Sequence, residues 1–277
     1  MASLPKLAAL SLLAAFGAVI LLASTGPAGP GDDTSLAAAL CPVVYQLDQS
    51  ASARGYRYWF FGNAFFINEQ GYLLTVAHVL DTFRDGGQPY ILVNRPDRPP
   101  LLLDVTVVAV DSPHDVAILR AAPNPFAGKF RVAFMPLASD AAVPGQSVLA
   151  LSLHPARPQN AQSFQSPVED RSPGEVLAYE STQLEKSAPA AQIFLLSHPV
   201  KLGQSGSPVL SMDSHAVLGL VEGRWLRSSA VWIARSKGST SSAPGAAIPI
   251  GYAISLLRDQ GISWHAAQAP SSVAAKP

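Results

Sequence analysis

The chain has 277 residues, room for one large all-β domain or two small ones with an ample core. Lys plus Arg and Asp plus Glu stand at 19 each, so the net charge is zero, which excludes the basic surface that nucleic-acid binding needs to displace counterions. With 24 prolines and 20 glycines the composition is that of a turn-rich chain rather than a helical bundle.

Leu7 to Ser24 is an uninterrupted run of apolar and small residues, preceded by Lys6 and followed by a Pro/Gly-rich exit over residues 26–31. It is long for a signal-peptide core and just long enough to cross a membrane. Lys6 before it and Asp32-Asp33 after it favour an inside N-terminus and an exported body. Residues 1–31 therefore read as a signal peptide or membrane anchor with its linker. The body is expected on the periplasmic side of the cytoplasmic membrane, anchored by residues 7–24 or released by cleavage. Cys41 is the single cysteine, so no intramolecular disulfide is available and stability must come from the core. The apolar run before Cys41 is short and far past the export segment, which favours a buried thiol over a lipidated one.

Thr34 to Asp48 is a short apolar stretch that reads as a helix capped near Asp33, within an N-terminal extension over residues 34–55. Tyr56 to Asn68 is aromatic-rich and interrupted by Gly62-Asn63; Glu69 to Gly71 supplies a turn, and Tyr72 to Ala77 returns as the second arm of a hairpin. Tyr90 to Asn94, Leu101 to Val110 and Val116 to Arg120 continue the strand pattern, completing a first unit over about residues 56–140. A turn at Val143 to Gly145 precedes Ser147 to Leu153, which opens a second unit over about residues 141–250. Residues 154–172 are polar and proline-containing and read as a surface loop. Glu175 to Glu180, Gln192 to Ser197, Pro208 to Ser211, Ala216 to Val221 and Val231 to Ala234 are further short strands, and Ser236 to Gly245 a flexible loop. Ile250 to Gly261 is the one well-formed helix of the body, with Gly261 at its stop. Residues 266–277 read as a disordered tail. The expected fold is all-β: two packed antiparallel β-barrels with a C-terminal helix, over residues 56–265.

Three residues stand in settings suited to nucleophilic catalysis: His78 in TVAHVL, Asp115 in DSPHDVAIL and Ser205 in GQSGSP. A serine hydroxyl needs a base within hydrogen-bond reach, and a neutral imidazole near pH 7 suits that task. A buried carboxylate then fixes the tautomer and stabilises the imidazolium. Gly203 and Gly206 flank the serine, allowing a tight turn that points successive N–H groups at one spot. The backbone N–H groups of Gly203 and Ser205 are therefore the expected oxyanion hole. Ser207 is the rival nucleophile, but it lacks the place between two glycines. Asp111 and Asp104 are rival carboxylates; Asp115 is preferred for its position at the start of a strand. His114 is expected to point away from it. No histidine pair has a zinc-type spacing, so neither a metal nor another cofactor is expected.

With these residues in place, the chain resembles the trypsin-like serine proteases, and within them the catalytic domain of the bacterial HtrA-type branch. The likeness runs from about Phe61 to Leu257. It is carried by GNAFFINEQGYLLTVAHVL, DSPHDVAILR, PLASDAAVPGQSVLAL, GQSGSPVLSMDSHAVLGLVEG and AIPIGYAISLLRDQG, in the family's order. The resemblance implies catalytic residues in a cleft between the barrels, protein or peptide substrates, and a specificity pocket beside Val200 to Leu202 and Val221, Glu222 and Gly223. It departs from the family at Gln204 and Ser207, where Asp or Asn and Gly are frequent. Gln204 has no charge to pair with a newly cut N-terminus, so activation by such a cleavage is not expected. About 16 residues follow the closing helix, too few for a PDZ domain. Pro199 occupies the position where a trypsin-like acidic residue would stand, which favours a small or aliphatic residue before the scissile bond. The sequence also admits two other functions: a non-catalytic binding module on the same fold, and an α/β-hydrolase esterase using Ser205, Asp259 and His265, which requires a parallel sheet.

Overall fold

A computed structural model describes residues 36–46, 58–83, 87–95, 100–128, 132–154, 167–184, 188–225 and 243–267. The apolar stretch 7–24, the strand expected at Val231 to Ala234 and nearly all of the expected tail lie outside these residues. Among the described residues no helix is long and apolar enough to cross a membrane.

Among the described residues, twelve strands close into two barrels. The first contains β1 (Leu40–Gln46), β2 (Tyr58–Phe66), β3 (Tyr72–Thr75), β4 (Tyr90–Val93), β5 (Leu101–Asp111) and β6 (Val116–Ala122), in the spatial order β1-β2-β3-β6-β5-β4. The second contains β7 (Ser147–His154), β8 (Val168–Thr182), β9 (Ala191–Leu196), β10 (Pro208–Ser211), β11 (Val217–Arg224) and β12 (Gly245–Pro249), in the order β10-β11-β12-β9-β8-β7. All their pairings are antiparallel. Closure pairs the strand edges, and where strands are covered on both faces consecutive side chains are buried. Phe65, Phe66, Leu73, Leu74, Ile118 and Leu119 are fully buried in the first barrel, as are Leu151, Phe194 and Val209 in the second.

Two sequence expectations fail here. The helix expected from Thr34 to Asp48 is a single helical turn at Leu36, followed by β1. Cys41, Val43 and Val44 are buried on that strand, which pairs with β2 and with β4 and so closes the barrel; barrel one thus begins ahead of residue 56. The β-branched pair Val43-Val44 suits a pleated surface, and long-range pairing outweighs the local helical pattern. The loop expected over residues 154–172 gives way to β8 from Val168 onward, which pairs with β7 down to Val168↔His154. Its first half is largely solvated, so its polar composition concealed a strand.

Burial holds the Cys41 thiol far above its ordinary pKa, in the protonated and unreactive form. Helix α1 (Ile250–Asp259) docks through Ile250, Ala253 and Leu257, a stripe at helical spacing, and stops at Gly261, whose φ is +65°. The antiparallel barrels exclude the α/β-hydrolase framework. Asp259 is exposed on α1, while His265 bonds Glu69 at 2.9 Å and stacks on Phe134. That alternative trio never assembles.

Candidate active site

β2 runs unbroken through Gly62 and Asn63, and these two residues meet the serine turn. Asn63 is fully buried and holds the serine turn with two donors: its backbone N–H bonds the Ser205 carbonyl at 2.8 Å, and its Nδ2 bonds the Gly203 carbonyl at 3.0 Å. Its Oδ1 accepts from the Leu153 N–H at 3.0 Å, and its own carbonyl accepts from Thr75 Oγ1 at 2.7 Å. One residue, through its backbone and side chain, thus joins β2, β3, β7 and the serine turn, and every hydrogen-bonding group it buries is used. Gly62 is required by close approach: a Cβ there would stand 2.6 Å from the Ser205 carbonyl oxygen and 2.7 Å from Val79. The serine turn and the turn carrying His78 therefore meet over this glycine.

His78 lies at the start of a 3-10 turn (Ala77–Phe83) that follows β3. Asp115 closes a second 3-10 turn (Ser112–His114) and adopts a left-handed conformation at φ 55°, ψ 47°, which aspartate tolerates better than most residues. Its carboxylate grips His78 twice: Oδ1 accepts from the His78 backbone N–H at 2.8 Å, and Oδ2 meets Nδ1 at 2.8 Å. This pair fixes the ring's orientation and places its proton on Nδ1, leaving Nε2 as acceptor. Burial by itself would depress the His78 pKa. The hydrogen bond and charge of Asp115, with the charges of Glu222 and Asp81, outweigh it and hold the group above its ordinary value.

The rival acids stand elsewhere. Asp111 bonds His114 Nδ1 at 2.7 Å, and His114 stacks on Tyr252 of α1 at 4.0 Å, turned to a different partner from Asp115. Asp104 is exposed on β5.

Ser205 sits between two turns closed by Gln204 N–H to Lys201 O at 3.2 Å and Ser207 N–H to Gln204 O at 3.0 Å. Gly203 and Gly206 adopt φ +91° and +79°, a region that favours glycine. The Gly203 and Ser205 N–H groups donate to no other group among the described residues, which leaves both available to a ligand oxygen. The Ser205 hydroxyl donates to the Glu222 carbonyl at 3.0 Å, not to His78. The structure thus brings His78 and Asp115 into contact and seats the serine turn beside them, with the hydroxyl rotated onto β11. Ser207 is fully buried and its hydroxyl has no partner, so it is inaccessible as a nucleophile.

Gln204, only 1% exposed, accepts from the Lys201 N–H at 2.7 Å and donates to Ser152 Oγ at 3.1 Å. The turn is held by neutral hydrogen bonds and needs no charged partner. Gly206 is the tightest position: a Cβ there would lie 2.1 Å from the Asn63 carbonyl oxygen and 2.5 Å from Thr75 Oγ1. Gly206→Ala is expected to destabilise the fold by at least about 2 kcal/mol, read as a lower denaturant midpoint, since positive φ and overlap with backbone act together.

Of the pocket residues, Val221 is buried with its backbone tied to Gly206 and Ser207, and Gly223 has open space where a Cβ would stand. Glu222 lines a cavity with His78 and Asp115. Asn63 was the residue missed from sequence; its one signal was a polar side chain next to glycine inside an aromatic strand.

The two barrels and the His–Asp pair across from a glycine-flanked serine define the class. Residues 62–220, more than half of the chain, match the model of the trypsin-like peptidase domain family, and the chain belongs to that family. It is a serine peptidase, a hydrolase. No curated protein sequence matches it significantly. Similar solved structures include the Rv3671c protease from M. tuberculosis in its active form, with TM-score 0.56 and 18% identity over 84% of this chain and 85% of that one. The inactive form of the same protease aligns with TM-score 0.54 and 19% identity over 82% and 91%. An inactive serine-to-alanine mutant gives TM-score 0.54 and 18% identity over 82% and 89%. At these identities the likeness is one of fold.

Proposed function

We propose that the chain is a serine endopeptidase that cleaves peptide bonds through an acyl-enzyme on Ser205, with His78 as general base and Asp115 as its orienting carboxylate. The observation that carries this reading is the two-point grip of Asp115 on His78, which leaves Nε2 free to accept a proton. Rotation about the Cα–Cβ bond of Ser205 moves its hydroxyl from the Glu222 carbonyl towards that nitrogen; side-chain rotations of this kind are fast, and catalytic hydrogen bonds commonly tighten only on substrate binding. Oγ then attacks the scissile carbonyl as its proton passes to Nε2, and the N–H groups of Gly203 and Ser205 receive the negative oxygen. Collapse breaks the C–N bond while His78 returns the proton to the leaving amine. Water, activated by the same base, releases the acyl group.

The resting hydrogen bond of Ser205 to Glu222 favours a second reading, a binding module in which the serine stays parked. A fluorophosphonate probe separates the two. Labelling of the wild type, lost in Ser205→Ala and in His78→Ala, supports the peptidase; no labelling of the folded wild type supports the module.

The pH profile supplies a further check. His78 must be neutral to accept the proton, and its pKa is raised, so kcat/KM is expected to fall on acidification through an apparent pKa above the ordinary histidine value of about 6.5. Removing the Glu222 charge in Glu222→Gln takes away one of the interactions that raise it, so the edge moves to lower pH. The apolar stretch 7–24, with Lys6 before it and Asp32-Asp33 after it, supports placing the body outside the cytoplasmic membrane.

A further inference from the structure

Beside His78 lies a cavity of about 270 Å³ whose lining comprises Ala77, His78, Asp81, Ser112, Asp115, Leu184 and Glu222. It is an unusual neighbour for a catalytic base, because three carboxylates face it and no lysine or arginine is among its described lining residues.

Glu222 enters this cavity through a fault in its strand. The register of β11 against β12 runs Val221↔Ala247 and then Gly223↔Ala246, so Glu222 is the extra residue of a β-bulge. Bulges re-aim a side chain, and here the result is a carboxylate directed at the His78–Asp115 pair. No hydrogen bond from the protein reaches that carboxylate among the described residues. Burial and the charge of Asp115 hold Glu222 above its ordinary pKa, with His78 opposing them. A half-buried carboxylate in this condition gains from any cation that enters.

The cavity also lies where a substrate side chain must pass. On the side facing the serine turn, β10 covers β11 only up to Leu220, and the serine turn itself bonds Val221. Beyond Val221 this edge has no neighbouring strand among the described residues, and the Glu222 carbonyl is already within 3.0 Å of Ser205 Oγ. An extended peptide laid along it, with its scissile carbonyl at Ser205, points successive side chains to opposite sides. One side chain faces Val200 and the serine turn; the next faces His78 and the cavity. Leu184 offers an apolar wall to a methylene stem, and the Glu222 carboxylate receives its charged end.

We propose that this cavity is the subsite for a positively charged substrate side chain, lysine or arginine, next to the residue whose carbonyl is attacked, with Glu222 as its specificity-determining residue. This rests on the peptidase reading and deepens it.

The test uses acetylated tetrapeptides on an aminocoumarin leaving group, carrying lysine, norleucine or glutamate at the position before the cleaved residue. The full-length wild type should show at least about a tenfold higher kcat/KM for lysine than for norleucine, and lower still for glutamate, as expected for a charge-assisted hydrogen bond. In Glu222→Gln the lysine-to-norleucine ratio should fall towards one. A wild type that hydrolyses these peptides with a ratio near one overturns the proposal, as does a ratio that survives Glu222→Gln. The same peptides as C-terminal amides, titrated against Ser205→Ala, read the cavity without turnover. Tighter binding of the lysine peptide, lost in the Ser205→Ala, Glu222→Gln double variant, supports the subsite even where the wild type fails to label with fluorophosphonate; that failure would count against the peptidase reading alone. Equal binding of all three peptides overturns the subsite whatever the labelling shows.

Discussion

Ser205→Ala is expected to lower the kcat of peptide hydrolysis by about a millionfold, His78→Ala by a similar factor, and the double variant by hardly more than either alone. The reason is that nucleophile and base act as one unit: without the base the hydroxyl stays protonated, and without the hydroxyl the base has nothing to activate. Residual turnover in all three variants should be alike, since the free N–H groups of Gly203 and Ser205 remain to stabilise the oxyanion. Steady-state assays at matched enzyme concentration, with circular dichroism to verify folding, decide the matter. Losses that multiply in the double variant would mean that the two residues act independently, and the proposed relay would fall.

Asp115→Asn should cost about ten-thousandfold near neutral pH with little change in fold. In the native site both carboxylate oxygens accept, one from the His78 backbone N–H and one from Nδ1. An asparagine has one accepting oxygen and a donating amide. If the oxygen keeps the backbone N–H, the amide faces Nδ1 and forces that nitrogen to accept. The ring proton then sits on Nε2, the atom that has to take the serine's proton. The loss should appear in kcat with KM nearly unchanged, and fluorophosphonate labelling should slow in parallel. A loss of less than tenfold would show that Asp115 does no more than pack beside the ring.

How far these features were legible in the chain varies with their range. The hairpin around Glu69 to Gly71, the strands that follow it and the helix at Ile250 rest on local patterns of apolar residues and turn formers, and the structure places elements there. β1 is hidden because a run of five buried residues followed by two exposed ones can serve a helix or a strand, and only pairing with β2 and β4 chooses between them. The polar half of β8 is hidden for the opposite reason: its positions alternate only between exposed and half-buried, so its residues, VEDRSPGE, lack the apolar alternation that marks a strand. Among the site residues, His78, Asp115 and Ser205 were marked by short-range settings. Asn63 was not, and Glu222 was named only as a pocket residue and not as a neighbour of His78, because their parts depend on partners far away in the chain, as with the bond from Asn63 to Gly203 across 140 positions.

By itself, then, the sequence determined the residue types and their order, the two sets of strands, the lone thiol and a serine turn with no acid beside the nucleophile. These follow from local chemistry: backbone freedom at glycine, burial of apolar residues and the proton affinities of side chains. Tertiary structure alone decided that a bulge in β11 turns Glu222 onto the base, that Asn63 pins the serine turn to the first barrel, and that the Ser205 hydroxyl rests on a strand carbonyl. Each is a contact between distant segments, and its geometry is set only when the barrels close and pack.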